Sequence, residues 1–272
     1  VGRSRFSDLV RLIALLETPG IGRKTARRAL FPPKDSALRL AEKILLECRS
    51  KKVRVLSIED ELFPEALKNI SDPPLVIYAQ GNISALKAPA LAVVGTRVPK
   101  EESRARAFRY AEILAEKKIG VVSGLALGID TAAHEGCLAK KGRTVAVLPS
   151  GFDRLYPPAN KALAAAILKK DGCLLSEYPP HTGPEPFRFV ERDRIQSGLS
   201  AGVVVVETEA QGGAMHTARF CRQEERPLGA CPASPALLRW ESVTPILSDA
   251  DFRRFAQAAS KRSFRPARGL LQ

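Results

Sequence analysis

The chain is poor in several residue types on which other folds and chemistries depend. It has one methionine, one tryptophan and three histidines, and aromatic residues make up 6% of its 272 positions. Cysteines stand at 48, 137, 173, 221 and 231, an odd number with no CxxC spacing. That pattern argues against a disulfide framework and against a zinc site, and the apolar settings predict reduced, buried thiols. No run approaches the roughly eighteen uninterrupted apolar residues of a spanning helix, so no membrane span is expected. The opening VGRSRFSDLV lacks the apolar core and small-residue cleavage site of a signal peptide, and a cytoplasmic location is expected.

Acidic side chains are scarce beside basic ones: 29 Asp and Glu against 43 Lys and Arg, a formal charge of +14. Residues 1–54 carry 14 basic and 5 acidic side chains, residues 248–272 carry 6 and 2, and the long middle, 55–247, is nearly balanced at 23 and 22. An excess gathered at the ends favours a polyanionic partner over a merely solvated surface, although charge alone does not separate nucleic acid from a membrane surface. The hydrophobic fraction of 45% and charged fraction of 26% are those of an ordinary globular chain.

Short helices are predicted over residues 1–52. Apolar Leu9, Leu12, Ile13 and Leu16 recur at helical spacing, Pro19-Gly20-Ile21-Gly22 breaks the run, and helices follow from Arg23 and from Asp35 or Ser36. Residues 53–88 read as a connecting segment with a short helix near Glu65 and a strand over Leu75–Ala79. From 89 to 235 apolar runs (91–94, 120–122, 144–148, 173–175, 203–206 and 228–231) alternate with helical patterns over 101–117, 128–141, 160–170, 190–199 and 213–225. Continuous apolar strands separated by helices predict a mostly parallel sheet covered on both faces, a doubly wound α/β fold of extended Rossmann-like type. Residues 236–272 read as a basic tail with one short helix after Ser248 and a loose end.

Several stretches carry anion-binding chemistry. The segment Thr18-Pro-Gly20-Ile-Gly22-Arg23-Lys24, between two short helices, resembles a helix-hairpin-helix (SAM-like) module, where glycines free backbone N–H groups to hold a phosphate; the alternative is a plain helix–helix connector. Gly95-Thr96-Arg97 follows the first parallel strand, at the end where ligands of open α/β sheets bind. The next strand closes in Ser123-Gly124 and reaches Gly128 at a helix start, a candidate anion cradle. In Gly151-Phe152-Asp-Arg154-Leu-Tyr156-Pro-Pro-Ala-Asn160-Lys161, aromatic faces could stack bases while cations follow phosphates, or Phe152 and Tyr156 could pack under the loop as core. Arg192 and Arg194 could face the same crevice, and Gly213 with Thr217 opens another helix. GxGxxG and P-loop fingerprints are missing, so no nucleotide cofactor is expected. Asp130 and His134 lie one helical turn apart and could share a metal or proton, but such a pair more often fixes a helix end, and no metal site is expected.

Taken in order, FPEAL, DPPLVIYAQGN, VVGTR, SGLALGIDTAAHEG, VLPSGFDRLYPPAN, LLSEYPP, RDRIQSGLS and GGAMHTA resemble the DNA-processing protein A (Smf) family over Phe63 to Ala233. The resemblance implies an extended Rossmann domain that binds single-stranded DNA, forms homodimers and helps load a RecA-type recombinase during DNA uptake and recombination. It departs where that family usually has Arg-Asn-Arg: here Arg192-Asp193-Arg194 puts a carboxylate beside the expected phosphate site. Gly212-Gly213 stands where Ser-Gly is usual. The competing reading is a nucleotide-binding Rossmann protein, either a nucleotide sensor or a nucleoside-monophosphate phosphoribohydrolase. The latter would need a Pro-Gly-Gly-x-Gly-Thr-x-x-Glu motif, whose glutamate neighbourhood is held here by Arg219 and Phe220. No nucleophile has a local base, so a binding protein rather than an enzyme is expected.

Overall fold

A computed structural model of the chain describes residues 2–261. Strands β1 (Val53–Ser57), β2 (Val76–Gly81), β3 (Ala90–Val94), β4 (Gly120–Ser123), β5 (Thr144–Leu148), β6 (Cys173–Ser176), β7 (Val203–Val205), β8 (Leu228–Ala230) and β9 (Val243–Pro245) form one sheet. Its order is β1-β2-β6-β5-β4-β3-β7-β8-β9. From β6 to β9 every neighbouring pair is parallel, while β1 and β2 add to the β6 edge as antiparallel strands. The chain steps outward from β3 through β4 and β5 to β6, then returns to lay β7, β8 and β9 on the other side. The carboxyl ends of β3 and β7 therefore flank a topological switch point, where the connections leave in opposite directions and a crevice must open.

The helices are α1 (Gly2–Leu16), α2 (Arg23–Arg28), α3 (Asp35–Ser50), α4 (Glu65–Lys68), α5 (Glu101–Glu116), α6 (Ile129–Ala139), α7 (Lys161–Lys169), α8 (Pro186–Leu199), α9 (Ala214–Gln223), α10 (Pro235–Leu238) and α11 (Asp249–Ser260). Side-chain alternation along the strands assigns them to faces. Leu91 and Val93 of β3 point into a core with α5, α6 and α11, where the rings of Tyr110 and Phe252 stack at 3.9 Å. Ala90, Ala92 and Val94 point the other way, into a core with α4, α8 and α9. Ser248 caps α11 by accepting from the Asp251 amide, as the sequence pattern predicts.

Three expectations change. Residues 53–88 do not merely connect: they supply β1 and β2, two strands of the main sheet. Nor does the helical segment over 1–52 keep a core of its own. Val10, Ile13 and Ala14 of α1 and Ala41, Ile44 and Cys48 of α3 pack with Val76 and Tyr78 of β2, Leu148 of β5 and Phe152 in one cluster. The physical reason is the exposed face of the antiparallel β1–β2 extension, which those helices cover. The tail expected over 236–272 contributes α10, β9 and α11, and residues 262–272 lie outside the described residues. Among the described residues no helix is long and apolar enough to cross a membrane.

Candidate functional site

The switch point opens into a cleft of about 470 Å³. Its walls come from the loop after β3 (Gly95, Thr96, Arg97), the start of α6 (Ala126, Asp130), one face of α8 (Phe189, Arg192, Asp193, Gln196) and the start of α9 (Gly212, Gly213, His216, Thr217). The loop after β3 is clamped in place. Thr96 donates its amide to the Glu207 carbonyl (2.8 Å) and accepts at its own carbonyl from Ile129 (3.2 Å). Gly128 makes this possible: its φ is +78°, and a Cβ there would lie 2.5 Å from the Thr96 carbonyl oxygen.

Arg192 forms the floor. It is 5% exposed, and its Nη1 donates to the Val147 carbonyl at 3.3 Å. Nη1 lies 3.9 Å from Asp130 Oδ2 and Nε lies 3.2 Å from Asp193 Oδ1, so one guanidinium serves two buried carboxylates. Gly124 leaves room for it, since a Cβ there would fall 1.2 Å from Arg192 Nη1. Burial raises the Asp130 carboxyl against the pull of Arg192 and the Gly124 and Ala126 amides. Asp193 is pushed up to about 7 by burial, with Arg192 and Arg97 opposing and the Asp130 charge adding to the rise.

The Ser123-Gly124 turn is not the open anion cradle the sequence predicts. Asp130 Oδ2 already accepts from the Gly124 amide (3.0 Å) and the Ala126 amide (3.3 Å), while Ser123 Oγ donates to the Val93 carbonyl (2.8 Å). The protein's own carboxylate occupies the cradle.

At the lip, Arg97 is exposed and makes no ion pair among the described residues; its guanidinium lies over the Phe189 ring, 5.1 Å from the centroid. Tyr156, 38% exposed, meets the same ring edge-on at 5.5 Å. Further along the start of α8, Arg188 lies over the rings of Tyr178 and Phe187, and Phe187 is exposed. Arg97, Phe189 and Tyr156 thus meet at the lip, whereas Phe187, Arg188 and Tyr178 lie outside the cleft lining. Arg154, on the loop that carries Tyr156, and Lys161, at the start of α7, are exposed and lie outside the cleft lining.

Other expected site residues are used up in structure. Phe152 is 9% exposed and belongs to the core under the loop, so it offers no stacking face, whereas Tyr156 does. Gly151 is buried with its amide on the Thr182 carbonyl. Asn160 Nδ2 donates to the Leu125 carbonyl (2.8 Å), the Ala126 carbonyl (3.3 Å) and Thr131 Oγ1 (2.9 Å), bracing the loop that leads into α6. Arg194 does not share the crevice with Arg192: two positions apart on a helix, they face different ways. Its Nη2 makes a bidentate pair with Glu177 (2.7 and 2.9 Å), and Nε donates to Asp72 at 3.2 Å. Both arginines sit inside α8 rather than at its start.

In the hairpin, Gly20 takes φ +82° and Gly22 precedes α2. Arg23 is not available to a phosphate there, because its guanidinium pairs with Asp72 (2.8 Å), Glu191 (2.9 Å) and Glu177 (3.7 Å). Lys24 is exposed beside Arg28, Leu30 and Phe31. His134 does not pair with Asp130: its Nδ1 bonds Thr144 Oγ1 at 2.7 Å, and burial pushes its pKa down to about 3, so it is neutral. Among the described residues no group of His, Cys, Asp or Glu has the arrangement of a metal site.

Phe189, Asp193, Gln196 and His216 line the cleft without having been singled out as binding residues. The signal was present. Residues 189, 192, 193 and 196 recur at the spacing of one helix face, as do 213, 216 and 217.

An α/β protein with a cleft at its switch point, walled by a mixed-charge helix and with Arg97 laid over Phe189 at its lip, belongs to the class of Rossmann-like α/β proteins. The family model for DNA recombination-mediator protein A matches residues 54–250, and the chain belongs to that family. It is 35% identical over 229 residues to Protein Smf of Synechocystis sp., covering 83% of this chain and 56% of that one. It superposes on the X-ray structure of DNA processing protein A from Streptococcus pneumoniae with a TM-score of 0.72 at 30% identity, covering 89% of this chain and 90% of that one. DNA processing protein A from Helicobacter pylori, whose structure was described for its single-stranded DNA binding mode, gives a TM-score of 0.67 at 28% identity over 75% of this chain and 95% of that one. The chain spans 41–65% of the length of the curated relatives it matches.

Proposed function

We propose that this protein binds single-stranded DNA along the cleft and its rim, shields it, and helps a RecA-type recombinase take it up, acting as a homodimer in the cytoplasm during DNA uptake or recombination. The observation that carries the reading is Arg97: an exposed guanidinium at the carboxyl end of β3, without an ion pair among the described residues, laid over Phe189 at the mouth of the cleft. A phosphate held there would place the neighbouring base against Phe189 or Tyr156, and aromatic stacking accepts any base. The start of α9, with Gly213 and Thr217, faces the same space with the positive end of its helix dipole. Membership of the recombination-mediator family and the single-strand binding mode described for the Helicobacter pylori protein support it further. The roles of Lys24, Arg154 and Lys161 are those of exposed cations that extend the path of the strand. Among the described residues no groove-reading helix projects from the fold, so binding is expected to depend little on sequence and to be weaker for duplex.

Cleft volume favours one competitor. About 470 Å³ is the size of a small-molecule site, which suits a nucleotide sensor. A phosphoribohydrolase lacks support, because Arg219 and Phe220 hold the neighbourhood of the glutamate its motif needs. Fluorescence anisotropy with single-stranded, duplex and mononucleotide ligands across a salt series separates the readings. Single strands are expected to bind best, with affinity falling steeply as salt rises through counterion release. A mononucleotide binding as tightly as an oligomer establishes the sensor instead, and duplex binding as tight as single-strand binding at moderate salt overturns the proposal.

A further inference from the structure

The floor of the cleft holds more negative charge than an anion site should tolerate. Asp130 and Asp193 approach one guanidinium from two elements, α6 and α8, and both carboxylates are buried. Their settings differ. Asp130 is satisfied by two backbone amides as well as by Arg192. Asp193 accepts only from Gln196 Nε2 at 3.1 Å among the described hydrogen bonds, and although Arg192 Nε lies within ion-pair distance of it, that N–H makes no well-directed hydrogen bond. Asp193 therefore faces the cleft as the less anchored carboxylate, beside a buried donor that is still unspent.

A phosphate entering between Arg97 and the start of α9 would bring negative charge to this carboxylate and compete with it for Arg192. The other charged or titratable groups around the cleft are Arg97 from the loop after β3, Asp130 from α6, Arg192 on α8 itself, Glu209 ahead of α9 and His216 on α9. Two of them are carboxylates that worsen the repulsion, and an added proton on Asp193 relieves it most directly. Neutral Asp193 keeps an acceptor for Gln196, gains a donor O–H, and releases Arg192 Nε toward the anion.

Resting on the crevice reading above, we propose that phosphate binding in this cleft is coupled to uptake of one proton from solvent by Asp193. Asp193 is thus a specificity-determining residue: it makes occupancy of the crevice, and not merely the fold, respond to pH. Its carboxyl, already raised to about 7 by burial before any ligand arrives, needs little further rise to be neutral in the complex.

The test uses the full chain and a rhodamine-labelled oligothymidylate with a 5′-hydroxyl, whose phosphodiesters and thymines do not titrate near neutrality. Anisotropy at constant ionic strength is followed from about pH 6 to about pH 8.5, a range that straddles the Asp193 transition. The wild-type dissociation constant is expected to hold steady at the acid end and to rise up to about tenfold per pH unit above about pH 7, the limit for one linked proton. Asp193→Asn is expected to bind more tightly at the alkaline end and to lose the slope, while His216→Gln keeps it. Calorimetry of the wild type in two buffers of different ionisation enthalpy reads the proton directly, without any variant, and is expected to find net uptake. A flat wild-type profile, a slope that survives Asp193→Asn, or a slope abolished by His216→Gln overturns the proposal. Arg97→Ala separates the two levels of the argument: unchanged affinity removes the crevice reading and the proposal together, whereas weakened affinity with an unaltered slope in Asp193→Asn removes only the proposal.

Discussion

Arg97 and Arg192 line one cleft, yet truncating them should have opposite signatures. Arg97 is exposed; it lies over the Phe189 ring at 5.1 Å and acts on Asp193 through its charge without forming an ion pair among the described residues. An exposed cation–π contact is worth about 0.5–1 kcal/mol, so Arg97→Ala should lower the melting temperature by only about 1–4 °C in a chain of this size. If the guanidinium grips a phosphate, its loss removes a charge-assisted hydrogen bond of about 1.5–3 kcal/mol, which weakens single-strand binding about tenfold to 150-fold. Arg97→Lys should fall between, because an ammonium keeps the charge but neither the bidentate fork nor the flat stacking surface. Arg192→Ala leaves Asp130 and Asp193 buried with no guanidinium, and removing one partner of a buried pair costs about 3–5 kcal/mol. That variant should be damaged in stability first. Anisotropy and thermal melting on the same preparations decide the matter. Refutation is an Arg97→Ala protein that binds single strands normally at every salt concentration, which would move the site to the basic ends of the chain.

The remaining expectations concern the loop after β5 and the buried carboxylate. Phe152→Ala should cost about 3–5 kcal/mol by opening a cavity in the cluster shared with α1 and α3, while the salt dependence of DNA binding stays as in the wild type; a selective loss of binding in a protein of normal stability would restore Phe152 as a stacking face. Asp193 carries a carboxyl raised by burial, so the folded state holds its proton more tightly than the unfolded chain. Its contribution is fully present below the ordinary carboxylate range and is lost as pH rises through about 7. Asp193→Asn should therefore flatten the decline in melting temperature from acid to mildly alkaline pH, and an unaltered decline would refute that assignment.

The sheet was legible because its parallel strands are buried on both faces and so read as unbroken apolar runs. The flanking strands lack that mark. β1 includes Arg54 and ends at Ser57, and β9 ends in Pro245, a residue that edge strands tolerate because one side of the strand needs no ladder partner. The position of the cleft could be read from the end of β3, since strand order alone places a crevice there. The use of each side chain could not. Arg192 and Arg194 look equivalent in sequence, but one turns to the cleft and the other to Glu177 and Asp72. Ser123-Gly124 has the composition of an anion cradle and is filled by Asp130, a residue six positions further on. Phe152 and Tyr156, alike in sequence, part ways because the short 3₁₀ turn at Phe152–Arg154 sends the first ring into the core and leaves the second at the rim.

Helix α8 explains why so charged a segment is buried at all. Its 14 residues show no clean apolar stripe, and Arg192 to Leu199 are all buried. A helix of that kind persists inside a protein only if most of its buried charges are paired. Arg192 meets Asp130 from α6, and Arg194 meets Glu177 after β6 and Asp72 ahead of β2. Glu191 takes Arg23 from α2 and the hydroxyl of Tyr178. The arginine of the N-terminal hairpin thus neutralises Glu191 on the face of α8 turned away from the cleft, together with Asp72 ahead of β2, while the opposite face presents Phe189, Asp193 and Gln196 to the cleft. The N-terminal helices are joined to the cleft wall electrostatically through Arg23, as well as by the apolar cluster they share with β2 and β5. Removing residues 1–52 would therefore break both connections at once, leaving Asp72 and Glu191 without Arg23 and the β1–β2 face without its cover.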